Sequence, residues 1–282
     1  MNLENTIKYG SRLLKNSLIN SHELDAQILL SDIMGVSREF LLLNHNIEIP
    51  EEIKLKYNQL LNRRLKKEPI AYITGKKEFW SKDFSVDSST LIPRPETELM
   101  IYKVVKLFKN KKINILDIGT GSGCILLSIL KELNFSRGIG IDISSKAIRM
   151  ARLNSINLNL CKRSKFKVFD LNKFDEWKYD LIVSNPPYIP SKDIKNLCRG
   201  ITNYEPLIAL NGGVEGISVI KKVIYRSNAL LKRNGLLAIE IGFGQYEKVS
   251  KMLRDNGFGQ ISKLYDYNRN VRCIISTKIR FF

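Results

Sequence analysis

Ile113-Asn114-Ile115-Leu116-Asp117-Ile118-Gly119-Thr120-Gly121-Ser122-Gly123 reads as a buried strand that runs into a glycine loop. The apolar run has the length of a strand, and glycine lets the chain turn sharply and approach a ligand closely. The spacing is GxGxG, not the GxGxxG of dinucleotide enzymes, and the sequence holds no GxxxxGK[ST] phosphate loop. A bare glycine turn is a weak signal, but its surroundings strengthen it. Ile139-Gly140-Ile141-Asp142 forms a second strand ending in an acid, 19 residues beyond Gly123 (142 less 123). From that position a carboxylate accepts from both ribose hydroxyls. Asp142 can instead cap the helix that follows, although Ser144 is itself an adequate cap. A nucleoside-like ligand without phosphate points to S-adenosylmethionine, bound by Gly119, Thr120, Gly121, Ser122, Gly123 and Asp142. Asp117 can orient the loop or the methionine end of that cofactor, or make a purely structural loop bond. Phe169-Asp170-Leu171 closes a third strand where the adenine should lie. Asp170 can accept from the adenine amino group, and Leu171 can pack on the ring or belong to the core.

One strand later comes Asn185-Pro186-Pro187-Tyr188, after the hydrophobic run Leu181-Ile182-Val183. This places the tetrapeptide in a loop at the carboxyl end of a buried strand. Such a turn offers a planar amino group two carbonyl acceptors, the Asn185 side chain and the Pro186 backbone. It also offers a flat ring, Tyr188. The prolines fix φ and remove competing N–H donors. An NH2 group held beside a sulfonium cofactor is the layout of an amino methyltransferase, with Asn185, Pro186 and Tyr188 as catalytic candidates. Asn185 through Tyr188 form the substrate site, and Asn185 also borders the cofactor. The turn by itself does not separate a glutamine amide from adenine N6 or guanine N2, since all three present a planar NH2.

Composition narrows the class. A chain of 282 residues is long enough for two cores, and 44% hydrophobic content is ordinary for a globular protein. No apolar run approaches the roughly 20 residues of a membrane span. The charged N-terminal segment, with Leu3, Ile7, Leu14 and Leu18, reads as an amphipathic helix and not as an export signal. Cys124, Cys161, Cys198 and Cys273 form no CxxC pair, so neither a zinc site nor a disulfide framework is expected, and the compartment reads as cytoplasmic. The only histidines, His22 and His45, lie far from the glycine loop, which excludes a His-based triad or multi-His metal site there. No metal is expected. The net charge of +18 has two readings, an anionic partner such as nucleic acid or the Lys-, Ile- and Asn-rich composition itself.

The periodicity predicts a helical region over residues 1–70. Ser21 is expected to cap a helix ending at Gly35, Ser37 a short helix to Leu43, and a third helix should run from Pro50. Residues 71–98 read as a β-hairpin-like linker. From 99 to 282 strands (113–117, 138–142, 165–169, 180–184, 235–241, 260–266, 271–277) alternate with helices (97–109, 122–133, 145–157, 214–232, 245–255). That alternation means a doubly wound, mostly parallel sheet with helices on both faces. The last two strands are joined only by Tyr267-Asn268-Arg269-Asn270, too short for a crossover, so they must pair antiparallel. The fold class expected is α/β, a class I methyltransferase sheet ending in an antiparallel hairpin, preceded by a small all-helical domain.

Several longer runs are similar to one family. They are Tyr72-Ile73-Thr74-Gly75, Glu78-Phe79-Trp80, Leu91-Ile92-Pro93-Arg94-Pro95-Glu96-Thr97-Glu98, Ser184 to Ile189, Glu205-Pro206 with Ala209-Leu210, Gly212-Gly213, and Leu237 to Gln245. Together they resemble the protein-glutamine N5-methyltransferases of peptide-chain release factors, the HemK family. The resemblance is dense from about 70 to 282; the first 70 residues match in length and helical character. It implies methyl transfer from S-adenosylmethionine to the glutamine side-chain amide in the Gly-Gly-Gln loop of class 1 release factors. It implies that the helical domain recognises that substrate, with the cofactor at Gly119–Gly123, Asp142 and Asp170/Leu171, and the amide at Asn185–Tyr188. A monomer is expected, with nucleic-acid contact allowed but not required. Glu96, Glu98 and Glu205 are expected at the rim, holding the loop or a substrate main chain more readily than taking a proton. The alternative remains an amino methyltransferase of adenine N6 or guanine N2 in nucleic acid.

Overall fold

The computed structural model describes residues 2–176 and 178–279 and divides into two compact units. The first, residues 1–76 with 198–204, is all-helical. Its helices are α1 (Leu3–Asn16), α2 (His22–Met34), α3 (Arg38–Leu43), α4 (Glu51–Leu65) and α5 (Ile70–Thr74). They enclose a core of Leu3, Leu14, Leu29, Leu30, Tyr57 and Leu61, each worth about 1.5–3 kcal/mol when fully buried. Asn2 caps α1 and Ser37 caps α3 through their side chains, and Gly35 ends α2 with φ 65°. Two expectations fail. Ser21 precedes α2 but makes no capping bond; its hydroxyl donates to Asp25, which also takes Arg64 at 2.7 Å. Leu18 is not on the apolar face of α1: the helix stops at Asn16, and Leu18 is 86% exposed with φ 56°. The helical unit also runs past residue 70, because α5 packs Ile73 into its core.

The second unit, residues 77–197 with 205–282, carries the sheet. A hairpin of β1 (Lys76–Phe79) and β2 (Lys82–Ser85) turns through Trp80 and Ser81, both at positive φ near 50°. Two-residue hairpin turns with that backbone usually hold Asn-Gly. Here Glu98 supports it by accepting from Trp80 N at 2.8 Å, and the Trp80 indole donates to Glu132. After a 3-10 turn (Pro95–Thr97) come α6 (Glu98–Phe108), β3 (Asn114–Ile118), α7 (Cys124–Glu132), β4 (Arg137–Asp142), α8 (Ser145–Asn157), β5 (Ser164–Val168) and β6 (Tyr179–Ser184). The short α9 (Arg199–Thr202) belongs to the helical unit, followed by α10 (Ser218–Leu230), β7 (Leu231–Glu240), α11 (Tyr246–Asp255), β8 (Phe258–Tyr265) and β9 (Val271–Lys278).

The seven strands lie in the order β5-β4-β3-β6-β7-β9-β8. All neighbours are parallel except β9, which pairs antiparallel with both β7 and β8. Side chains alternate across the sheet: Ile115 and Leu181 join the core beneath α6, α7 and α8, while Leu116 and Ile182 join that beneath α10 and α11. The strand order reverses between β3 and β6, and their carboxyl ends are where doubly wound sheets place ligands.

Candidate active site

A cleft of about 280 Å³ opens over those strand ends, lined entirely by the sheet-bearing unit. Gly119, Thr120, Gly121 and Ser122 line it after β3, Asp142 after β4, Asp170 and Leu171 after β5, and Asn185, Pro186 and Pro187 after β6. Four strands thus bring these sequence-selected residues to one place. Gly123 and Tyr188 are not among the lining residues. Gly123, at φ 80°, caps α7.

The loop is braced from three sides. Gly119 and Gly121 have positive φ, and nothing lies within 4 Å of where a Cβ would sit on either, so the backbone is open to a ligand. Asp142 Oδ2 accepts from Gly121 N at 3.0 Å and Oδ1 from Ser144 N at 2.9 Å. Burial raises the Asp142 carboxyl above the usual carboxylate range, with these backbone N–H groups opposing the shift. Ser144 does cap α8, its hydroxyl oxygen accepting from Ala147 N. Behind the loop, buried Asn154 of α8 donates to Ser122 O at 2.9 Å and exchanges two bonds with the Ser85 backbone. Gly140 leaves room for Thr120 and Phe166, since a Cβ there would come within 2.7 Å of both side chains.

Asp117 is fully buried and accepts from the Thr120 hydroxyl at 2.6 Å; its Oδ1 has no partner among the described residues. This is the loop-bracing arrangement. Burial pushes its carboxyl up to about 7. The folded protein therefore keeps a proton on Asp117 between about pH 4 and 7 that the unfolded chain releases, and stability falls as pH rises through that window. Asp117→Asn removes the titration. The melting temperature of the variant relative to wild type should climb by a few degrees between pH 5 and 8, read by differential scanning calorimetry. A constant offset would mean that Asp117 is ionised throughout.

Asp170 caps a 3-10 turn by accepting from Asn172 N at 2.9 Å through Oδ1, which leaves Oδ2 without a protein partner among the described residues. Leu171 is half-buried against the α10–α11 core and lines the cleft too, so it serves both of its readings. Ile143, 56% exposed, and Phe169 add apolar wall on this side. The open glycine backbone, the Asp142 carboxylate and this apolar wall with one free acceptor are groups that could hold a nucleoside bearing no phosphate.

At the other end, buried Ser184 ties β6 to β3 through Ile118 O at 2.8 Å, which fixes where Asn185 begins. Asn185 Nδ2 donates to Thr97 Oγ1 at 3.2 Å. Among the described residues nothing donates to Asn185 Oδ1 or to the Pro186 carbonyl. Both acceptors are thus free beside the glycine loop. Tyr188 is placed differently from the flat platform read in the sequence. Its ring packs against the α10–α11 core, its hydroxyl donates to Glu240 at 3.4 Å, and Arg272 lies 6.0 Å from the ring centroid. Its backbone carbonyl is pinned by Gln245 at 2.9 Å. Burial pushes the Tyr188 phenol up to about 12.

Of the three rim glutamates, Glu98 holds the hairpin turn. Glu205, nearly buried, pairs with Arg94 at 2.5 Å and accepts from Ile92 N at 3.3 Å, fastening the 92–94 segment at the cleft wall. Sequence reasoning assigned no role to Thr97, Asn154, Gln245 or Glu240. Glu240 left a signal, a lone acid closing the apolar run Leu236-Leu237-Ala238-Ile239, where a charge is costly unless bonded. Thr97 and Gln245 stand inside runs that carry the family resemblance, with no role attached to either, and Asn154 left no signal.

Residues 5–75 match the family profile described as "PrmC N-terminal domain", and residues 109–264 match one described as "Methyltransferase domain". A release factor glutamine methyltransferase of Clostridium acetobutylicum is 37% identical over 99% of both chains. One of Fusobacterium nucleatum is 38% identical over 94% of this chain and 76% of its own. Among solved structures, a methyltransferase from Pyrococcus furiosus shares the fold with a TM-score of 0.56 at 16% identity, covering 78% of this chain and 99% of that one. The identity extends through the helical unit and the sheet-bearing unit alike, and on that basis the chain belongs to the release factor glutamine methyltransferase family.

Proposed function

We propose that this protein transfers a methyl group from S-adenosylmethionine to the side-chain amide nitrogen of the glutamine in the Gly-Gly-Gln loop of class 1 release factors. The observation that carries the reading is the pair of unoccupied acceptors, Asn185 Oδ1 and the Pro186 carbonyl, next to the glycine loop. S-adenosylmethionine, when bound, supplies a methyl group on a positively charged sulfur that leaves as a neutral thioether. Gly119 to Ser122, Asp142, Asp170 and Leu171 would hold it.

An amide nitrogen is a poor nucleophile because its lone pair is delocalised into the carbonyl. Asn185 and Pro186 would each accept one N–H of the glutamine NH2, turning the nitrogen toward the methyl group. As the C–N bond forms and the C–S bond breaks, both acceptors draw off the positive charge that develops on nitrogen, and the N–H proton the product sheds passes to water. Positioning supplies the larger share, up to roughly 7–11 kcal/mol in the best intramolecular cases. Each transition-state hydrogen bond adds about 2.7–4 kcal/mol. Glu98 and Glu205 are committed to backbone and Arg94, which fits their reading as supports and not proton acceptors.

We assign the helical unit to gripping the body of the release factor, in keeping with its match to the PrmC N-terminal domain. The protein would act as a monomer in the cytoplasm; no helix among the described residues is long and apolar enough to cross a membrane. The test is incubation with isotopically labelled S-adenosylmethionine and either a release factor or total nucleic acid. Mass spectrometry should find one added methyl group on a release-factor glutamine side chain. Labelled DNA or RNA with an unmodified release factor would transfer the assignment to adenine N6 or guanine N2.

A further inference from the structure

Behind Asn185 lies a short chain of buried polar groups drawn from three parts of the sequence. Asn185 Nδ2 donates to Thr97 Oγ1 at 3.2 Å, and Thr97 Oγ1 donates to Glu240 Oε2 at 2.6 Å. The other Glu240 oxygen receives the Tyr188 hydroxyl at 3.4 Å. Thr97 and Glu240 are each only 2% exposed. Thr97 ends the 3-10 turn before α6, and Glu240 is the last residue of β7.

The two ends of an asparagine amide have nearly the same shape, so packing alone hardly chooses between them. Hydrogen-bond polarity does. A threonine hydroxyl has one proton, and an ionised carboxylate only accepts. With Glu240 ionised, the Thr97 proton must point at Glu240, and a Thr97 lone pair then faces Asn185. Only the NH2 end of Asn185 can satisfy that lone pair, so Oδ1 is turned the other way. Were the amide reversed, Asn185 would present N–H donors to a substrate NH2 that has only donors to offer.

We propose that Glu240 and Thr97 act as a positioning relay that fixes the Asn185 amide with its carbonyl toward the substrate nitrogen. The proposal rests on the methyl-transfer reading above for its consequence, though not for its geometry. Glu240 also accepts a hydrogen bond from the Tyr188 hydroxyl, so a single buried carboxylate sets the polarity at the first and last residues of the Asn-Pro-Pro-Tyr turn. Other charged groups bear on it. Arg272 on β9 favours its ionised form, while Glu96 in the 3-10 turn opposes it. Arg272 Nε makes no hydrogen bond among the described residues and lies 3.7 Å from Asp266 Oδ2, so its charge acts on both Asp266 and Glu240. Arg94 acts on Tyr188, and the buried Cys273 pairs with Glu240 across β7 and β9.

Burial pushes the Glu240 carboxyl up to about 7. Protonated Glu240 can donate to Thr97, and Thr97 is then no longer compelled to offer a lone pair to Asn185. Turnover of the wild type should therefore fall as pH drops below about 7, with cofactor affinity following a different profile.

The test compares wild type with Thr97→Val, Thr97→Ser and Glu240→Gln. Three quantities are read: turnover and KM on the release factor, cofactor affinity by calorimetry, and the Asn185 side-chain amide signals in nitrogen-15 NMR, assigned by their loss in Asn185→Asp. Thr97→Val should lower kcat about tenfold or more with cofactor affinity within about twofold of wild type, and Thr97→Ser should recover most of the loss. Glu240→Gln, isosteric but non-titrating, should lower kcat and abolish the fall toward low pH. In the NMR spectrum, one Asn185 amide proton should exchange slowly with solvent in wild type and Thr97→Ser, and quickly in Thr97→Val. Wild-type turnover in Thr97→Val, or an Asn185 signal unchanged by that substitution, would overturn the relay. Should Thr97→Val not fold, the pH profile of Glu240→Gln decides: a retained acid limb overturns the proposal. If the wild type methylates no release factor, the functional reading fails, and the amide exchange comparison still decides the relay.

Discussion

Asn185→Ala should lose roughly 100-fold or more in methyl transfer while cofactor affinity changes several-fold at most. The side chain removed is one of two free acceptors at the cleft, and it is held in place by Thr97. Truncation deletes an interaction that strengthens as nitrogen becomes positively charged, which places the loss in kcat. The Pro186 carbonyl remains and keeps some orientation of the substrate NH2. On the proposed function the cofactor is held mainly by the loop after β3 and by Asp142, whose bonds to Gly121 and Ser144 do not involve the Asn185 side chain. Single-turnover labelling of the release factor with calorimetry on the cofactor separates the two effects. Near-full transfer by Asn185→Ala would remove the acceptor role. The same result would leave the Thr97–Glu240 relay with nothing to position.

What the sequence disclosed follows from which forces are local. Strands β3 and β6 were legible because both faces of a parallel sheet are covered, so Ile115, Leu116, Leu181 and Ile182 form continuous apolar runs. The antiparallel finish was legible from the length of one connection. The glycine loop and Asp142 were legible because backbone turns and strand-end acids have fixed spacing. Boundaries set by tertiary packing were not. The helix expected from residue 214 starts at Ser218, since Gly213 and Gly216 adopt positive φ before it. β7 begins at Leu231, earlier than expected, because its first residue pairs with Tyr179 across an irregularity. The stretch after Tyr188 folds into short 3-10 turns that carry no periodicity.

The same distinction holds inside the site. Asn185 and Pro186 announce themselves as a tetrapeptide, but what aims Asn185 comes from Thr97 and Glu240, which are separated by 143 residues. Asn154 braces the glycine loop from the middle of α8, where an asparagine looks like an ordinary polar position. Tyr188 was assigned a surface for stacking from its chemistry alone. Only the packing of the chain shows the ring turned to the α10–α11 core and the hydroxyl to Glu240. Residue type identifies groups able to do the chemistry; the partners that orient them are set by long-range contacts.

Asp142→Ala should weaken S-adenosylmethionine binding roughly 10- to 100-fold, as expected for loss of a charged acceptor worth about 1.5–3 kcal/mol. Two contributions combine in that loss. The carboxylate lines the cleft at the place read for the ribose, and its two oxygens already hold Gly121 N and Ser144 N. Each oxygen has a further lone pair, so bracing the loop and receiving a ribose hydroxyl are compatible. Asp142→Asn distinguishes bracing from ribose contact alone. An asparagine has one acceptor oxygen, and its NH2 would face whichever of the Gly121 and Ser144 N–H groups the oxygen does not take. Donor against donor leaves a buried N–H unpaired, a cost of about 1–3 kcal/mol. A ribose, by contrast, can accept as well as donate and would tolerate an amide. Asp142→Asn should therefore bind the cofactor nearly as poorly as Asp142→Ala. Wild-type affinity should also fall at low pH as the raised Asp142 carboxyl takes up a proton, a dependence that both variants should lack. Calorimetry across pH is the measurement. Affinity of Asp142→Asn within about twofold of wild type would show that the bonds to Gly121 and Ser144 do not hold the loop in its binding form.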